Sequence, residues 1–482
     1  MITSVSVPLL RPDVFLTPSG SGTVYVRSSR GTDLIAAPGI AGWLERLAPF
    51  LDGSRTVAQL LDGLDGARRG TVLRVLQLLD EHGLLDDVAP REPDPRAARY
   101  PHLRTLALGT PAATGALADA LRLTGLTGIT PVAGQEAALT ALANGGHDAL
   151  LLLAEGGDAR SVARLDEECR VRGLWFAAAV RDAESWWIGP MLAPGPDRTA
   201  GGWLGAWLRV HGREDAPVRP PHVSYGSTEF AAPLLAHHFQ RAFLSLSPAA
   251  PEEPGTSGAD QPVRVTRLDA TTLATTSHPY RPHPAALPAA PESAAQFLAR
   301  IASLRAGPAV TPEEFSRRAA GCIDERCGLL AELDEGALPQ FPRHAARALV
   351  RDPDTGRAVH QVHATGTDFT AARLRTARRA LAHYALLALD PRRFVPAPSG
   401  PALWAWSPER DTAHLVPAAR VRAQGTRPPR GLGAGATFDE AVAEARRDLR
   451  GPAHDTVVVP LDHDPAATDI LPNLLRAVRC DD

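Results

Sequence analysis

Residues 105–109 read Thr-Leu-Ala-Leu-Gly, and the same kind of run returns as Ala-Leu-Leu-Leu-Leu at 149–153 and Trp-Phe-Ala-Ala-Ala-Val at 175–180. Each is a short unbroken apolar stretch bounded by glycine or charged residues. A strand with no polar alternation is buried on both faces, which is the habit of a parallel sheet covered by helices. A helical pattern starts near Ala112, directly after the first run, and strands alternating with helices in this way predict an α/β domain.

Upstream, a Pro- and charge-rich linker occupies 88–99, and before it lies a separate small module. Val14-Phe15-Leu16, Val24-Tyr25-Val26 and Asp33-Leu34-Ile35 are β-type runs split by Ser/Gly turns, predicting an antiparallel meander. Three helices follow. The first carries Ile40, Trp43, Leu44 and Leu47; the second opens on a Thr56/Gln59 capping box; the third repeats Val72, Val75, Leu76 and Leu79 on one stripe and stops at Gly83. Downstream, the polar stretch 249–262 reads as an insertion. From about Ala294 the chain is mostly helical, with a long Arg/Ala/Leu helix over 370–389 and a strand-like Thr-Val-Val-Val at 456–459. The expected domains are 1–90, 91–290 and 291–482.

The 482 residues are 44% apolar and 22% charged, a soluble globular balance long enough for two to four domains. A net charge of −3 gives no general attraction to nucleic acid or anionic membrane. None of the 51 basic residues is lysine, which removes Schiff-base and phosphate-loop lysines from consideration. Cys169, Cys322, Cys327 and Cys480 are too few and too scattered for a secreted disulfide framework. With no signal-like start and no apolar run near membrane length, a cytoplasmic protein without membrane contact is expected.

The first module resembles the PqqD-like precursor-recognition domain (RRE) of thiazole/oxazole-modified peptide systems. The resemblance rests on Gly31-Thr-Asp-Leu-Ile35, Asp52-Gly-Ser-Arg-Thr56 and the Leu-rich helix ending His82-Gly-Leu-Leu85. It implies that a leader peptide adds as an extra strand along Thr32, Asp33, Leu34, Ile35 and Ala36, in a cleft against the third helix. Strand addition gives affinity through main-chain bonds and specificity through alternate side chains. Arg69, Leu73, Arg74 and Leu76 are the implied contacts on that helix, with Arg68 beside them to attract acidic leaders. The competing reading, a DNA-binding winged helix, conflicts with Asp52, Asp62, Asp65, Asp80, Glu81, Asp86 and Asp87, which put the wrong charge sign on the helices.

Residues 100–290 resemble the E1-like (ThiF-like, ocin-ThiF-like) domain of cyclodehydratase partner proteins. The carriers are the strand into Gly109, Trp187-Ile-Gly-Pro-Met-Leu-Ala-Pro-Gly195 and Arg264-Val-Thr-Arg-Leu-Asp-Ala-Thr-Thr-Leu273. Adenylating relatives have Gly-x-Gly-x-x-Gly where this chain has Gly109-Thr-Pro-Ala-Ala-Thr-Gly115, so the resemblance implies no nucleotide cofactor here. Relatives also carry two Cys-x-x-Cys zinc pairs. Their places fall at Gly201 to Leu204 and at Ala286 and Ala289, so no metal is expected.

The last region resembles the first half of the YcaO fold through Gly321-Cys-Ile-Asp-Glu-Arg-Cys-Gly328, Gly366-Thr-Asp-Phe-Thr370 and Gly433-Ala-Gly-Ala-Thr-Phe-Asp-Glu440. Active members place pairs of glutamates three apart on two helices to hold magnesium and ATP. Counting without gaps puts those positions at Leu381, Tyr384, Asp448 and Gly451, which implies a degenerate, truncated YcaO-like copy.

Other features have duller readings. Cys322 with Cys327, His237 with His238, and His360 with His363 lack the company a metal or redox site needs. Trp203 and Trp207, four apart on a helix, are candidate partner contacts. The expectation is therefore an α/β protein with a winged-helix-like recognition domain, an E1/ThiF-like domain and a degenerate YcaO-like region. It would bind a precursor leader peptide without catalytic residues, cofactor or metal of its own. It would be a non-catalytic subunit recruiting that peptide to a YcaO cyclodehydratase for thiazole, oxazole or thiopeptide biosynthesis, with homodimerisation open. The alternatives are a self-sufficient divergent ATP-dependent cyclodehydratase and a DNA-binding regulator.

Overall fold

The computed structural model describes residues 3–479 apart from 12–14, 19–23, 29–30, 36–38, 88–94, 157, 196–199, 214–226, 246–262, 423–429 and 450–455. The chain divides into two compact units, Met1–Ala98 and Arg99–Asp482.

In the first unit Phe15–Pro18, Val24–Ser28 and Gly31–Ile35 form a three-stranded antiparallel sheet in sequence order, as the turn residues predict. Helices Ile40–Leu47, Val57–Leu61 and Gly66–Glu81 follow. The capping box at Thr56 is formed, with Gln59 N donating to the Thr56 hydroxyl and Thr56 N to the Gln59 side chain. Val72, Val75, Leu76 and Leu79 are buried together with Val24, Val26, Ile35, Ile40 and Leu44 in one core. Gly83, at φ +63°, ends the long helix, and Leu84 N reaches back to Leu79 O at 2.9 Å. A second sheet, Pro8–Leu10 against Leu85–Asp87, was not expected. Its partners are about 75 residues apart and too short to carry a periodic signal.

The second unit holds a seven-stranded sheet whose four parallel strands run in the order Ile129–Ala133, Thr105–Gly109, Ala149–Ala154, Trp175–Arg181. Three antiparallel strands extend it: Ser185–Ile188, Arg264–Asp269 and Thr275–Pro279. Helices on the two faces cover the apolar runs, so residues such as Leu106, Leu150 and Ala177 are fully buried.

The rest of the unit is built from antiparallel sheets. Leu330–Asp334, His344–Arg351 and Ala358–Gly366 form three strands backed by the helix Phe369–Leu387. A six-stranded sheet contains Gly400–Ser407, Thr456–Pro460, Leu474–Arg479 and Leu432–Ala434, with Phe438–Leu449 packed against it. Asp368 caps the long helix by accepting from Ala371 N at 2.8 Å. Gly433 and Gly435 let the later helix close onto its strand, since a Cβ on Gly433 would lie 2.1 Å from Ala441 O. Along that helix Glu440, Glu444 and Asp448 each accept a backbone N–H, from Ala436, Ala434 and Gly431 respectively.

Candidate functional site

In the first unit the strand Gly31–Ile35 pairs on one side with Val24–Ser28, in register from Val24 opposite Ile35 to Ser28 opposite Gly31. Among the described residues its other side has no partner strand. An unpaired row of N–H and C=O groups is the geometry needed for strand addition. Of the expected contacts, only the backbone of Thr32, Asp33 and Leu34 is described, and Ala36 lies outside the described residues. Ile35 is turned into the core.

On the helix Gly66–Glu81, Leu76 is fully buried, and Leu73 packs half-buried against the same core. Leu76 was expected to touch a guest peptide. Its place on the apolar stripe instead commits it to the core. Arg69 and Arg74 are exposed, and one Arg69 nitrogen lies 3.5 Å from Leu61 O. Arg68 is held by the helix's own N-cap, with its Nε 3.4 Å from Asp65.

In the second unit the strand order reverses at Thr105–Gly109, where open α/β sheets take their ligands. Gly109 is required by packing, because a Cβ there would lie 2.7 Å from Leu153 O. The helix that follows begins at Pro111, which has no N–H, and Ala113 N donates to the Thr110 hydroxyl at 3.3 Å. Two of the three first-turn positions that could face a phosphate are thus already removed or engaged.

The two stretches that the sequence reading matched to zinc-cysteine pairs meet in space. A Cβ on Gly201 would lie 3.2 Å from Ala286 Cβ, so small apolar residues fill that junction. No group of three His, Cys, Asp or Glu side chains suited to a metal ion occurs among the described residues. Cys322 and Cys327 are buried in different cores, and burial pushes both thiols up to about 12. Trp203 and Trp207 stack at 5.0 Å and are buried, not presented to a partner.

The positions counted as magnesium ligands have another fate. Leu381 and Tyr384 are buried, and the Tyr384 hydroxyl meets Arg209 and Asp464, 2.5 Å from the Asp464 carboxylate. Arg209 Nη2 lies 3.1 Å from the same carboxylate and also donates to Pro282 O. Asp448 accepts from Gly431 N at 2.8 Å and has Arg379 at 3.6 Å. Nothing in the sequence pattern pointed to the Arg209–Tyr384–Asp464 cluster, whose members are up to 255 residues apart.

No family model matches the chain, and no curated protein matches it either. Among solved structures, one described as a heterocyclase in complex with substrate and cofactor matches with a TM-score of 0.51 at 16% identity, covering 91% of this chain and 69% of that one. The heterocyclase TruD gives 0.47 at 17% identity, covering 91% and 68%. Escherichia coli MccB with ATP gives 0.39 at 13% identity, over 56% of this chain and 96% of that one.

The first match makes the fold, over nine-tenths of the chain, one that an enzyme carries. This overturns the expectation of a non-catalytic subunit. The physical flaw in that expectation is visible above: Leu381 and Tyr384 lie in the core, so carboxylates missing at counted positions say nothing about catalysis. Among the described residues no helix is long and apolar enough to cross a membrane.

Proposed function

We propose that this chain acts in the heterocyclisation of a ribosomally made precursor peptide, forming azolines from Cys, Ser or Thr side chains. In this reading the leader adds as a strand to Gly31–Ile35, with Arg69 and Arg74 drawing its acidic residues, and a YcaO cyclodehydratase subunit works beside the chain. The observation that carries the reading is that, among the described residues, Gly31–Ile35 pairs with a strand on one side only. The likeness of fold to a heterocyclase bound to substrate and cofactor supports the reaction class. Holding the peptide raises the local concentration of its reacting residues at the site of chemistry.

The test has two arms. Labelled precursor peptide, titrated into the chain by fluorescence anisotropy, should bind saturably. Mass spectrometry of the peptide with magnesium ATP, with and without the YcaO subunit, should show loss of one water per azoline. No saturable binding, together with no water loss in either mixture, would refute the proposal.

A further inference from the structure

We propose that Thr276, His278 and Asp324 form a nucleophile relay that accepts an acyl group from an activated ester or thioester. Thr276 and His278 are two apart on the strand Thr275–Pro279 and so project from the same face. The Thr276 hydroxyl lies 2.7 Å from His278 Nε2, and His278 Nδ1 lies 3.1 Å from both carboxylate oxygens of Asp324. Asp324 belongs to the Gly321–Gly328 segment and is itself fixed by the backbone N–H groups of Arg326 at 2.9 Å and Cys327 at 2.8 Å.

Hydrogen-bond roles follow from chemistry. An ionised carboxylate only accepts, so Nδ1 carries the proton, and Nε2 is left as the acceptor for the threonine hydroxyl. Base, orienting group and hydroxyl therefore stand in the order that activates a nucleophile. The hydroxyl is on an exposed residue, while the His278 side chain is 4% and Asp324 13% exposed. Desolvation strengthens the buried part of the relay, and the reacting oxygen stays accessible.

Thr276 is paired in register with Arg267, which is paired with Trp187. The Trp187 ring lies 6.0 Å from that of His278 and walls off one side. A second pair, His211 Nε2 to Asp182 at 3.2 Å, also adjoins the Trp187 ring.

In the step proposed, Thr276 Oγ1 attacks the acyl carbonyl carbon as its proton passes to His278 Nε2. The bond from that carbon to the leaving oxygen or sulfur then breaks, and the proton departs with the leaving group. Asp324 is a positioning residue. It holds the tautomer and touches no substrate.

The experiment uses p-nitrophenyl acetate with the full chain, acid quench and peptide mapping. One acetyl group should appear on Thr276. Thr412, whose hydroxyl lies 2.9 Å from His414 Nε2 with no carboxylate bonded to that imidazole among the described residues, serves as the internal control and should be labelled at least tenfold more slowly. Thr276→Ser should keep the label, and Thr276→Ala should lose it. Asp324→Asn should slow acetylation at least tenfold without changing half-saturation, because an amide donates to Nδ1 and moves the proton to Nε2. Equal labelling of Thr276 and Thr412 in the native protein, or unchanged rates in Asp324→Asn, would overturn the relay. The Thr276/Thr412 comparison needs no variant to fold, and the result is independent of peptide binding.

Discussion

Arg209 Nη2 lies 3.1 Å from Asp464 Oδ2 with both side chains essentially out of water, at 2% and 0% exposure. The pair ties the helix Gly202–His211, from the parallel-sheet half of the second unit, to the start of Pro465–Thr468, in the antiparallel half. Neighbouring polar groups are bonded to the pair as well. Tyr384 bonds both partners, Arg209 Nε donates to Arg281 O at 2.8 Å, and Ala466 N donates to Asp464 Oδ1 at 2.9 Å. Burial works to lower the Arg209 pKa, but Asp464 and then Tyr384 outweigh it and hold the guanidinium charged. Removing one member strands a buried charge, so Arg209→Met or Asp464→Asn should cost about 3–5 kcal/mol of stability. Urea unfolding followed by circular dichroism checks this, and a loss below about 1 kcal/mol would mean the cluster is wetter than described.

A proline scan over Thr32, Asp33 and Leu34 should show alternation. Prolines whose lost N–H pointed outward remove one bond to the guest, about 1 kcal/mol, or roughly a fivefold weaker Kd, with melting unchanged. Those of the other parity remove a bond to Val24–Ser28 and lower the melting temperature instead. Uniform effects at all three positions would count against strand addition.

Arg69→Glu and Arg74→Glu, both at exposed positions, should each weaken an acidic peptide by less than about tenfold, and added salt should erase most of the difference. Anisotropy titrations at low and high salt measure it. A salt-independent loss would point to folding rather than attraction.

Acid stability should fall in two windows. Burial, followed by the nearby His360, pushes His383 down to about 4. An ordinary imidazole titrates near 6.5, so between those values the unfolded chain binds the extra proton, and stability is lost as pH falls, by about 3 kcal/mol in all. Asp182 is held at about 2: burial opposes this, but His211 and the Glu184 N–H outweigh it. Its stabilisation, present above the usual carboxylate range, is lost only as pH drops toward 2. Thermal melts from pH 7 to 5 should therefore be flatter for His383→Phe than for the native chain, while Asp182→Asn should leave that interval unchanged.

Gly433→Ala should destabilise the second unit by about 2 kcal/mol or more, since a Cβ there would collide with backbone rather than with a side chain that could turn away. Gly115, with open space around its Cβ position, is the matched control and should tolerate alanine.

Local pattern was enough for much of this molecule. Unbroken apolar runs at 105–109, 149–153 and 175–180 specified buried parallel strands, because burial on both faces leaves no place for polar residues. The Thr56 capping box, the stripe from Val72 to Leu79 and the glycine stop at Gly83 were legible for the same reason: each is decided by residues within a few turns of one another. What depends on distant partners was not legible. The pairing of Pro8–Leu10 with Leu85–Asp87, the meeting of Gly201 with Ala286, the burial of Leu381 and Trp203, and the meeting of His278 with Asp324 have no periodic trace. Spacing along the chain states which side chains share a face, but only packing decides which face meets water and which meets another part of the chain.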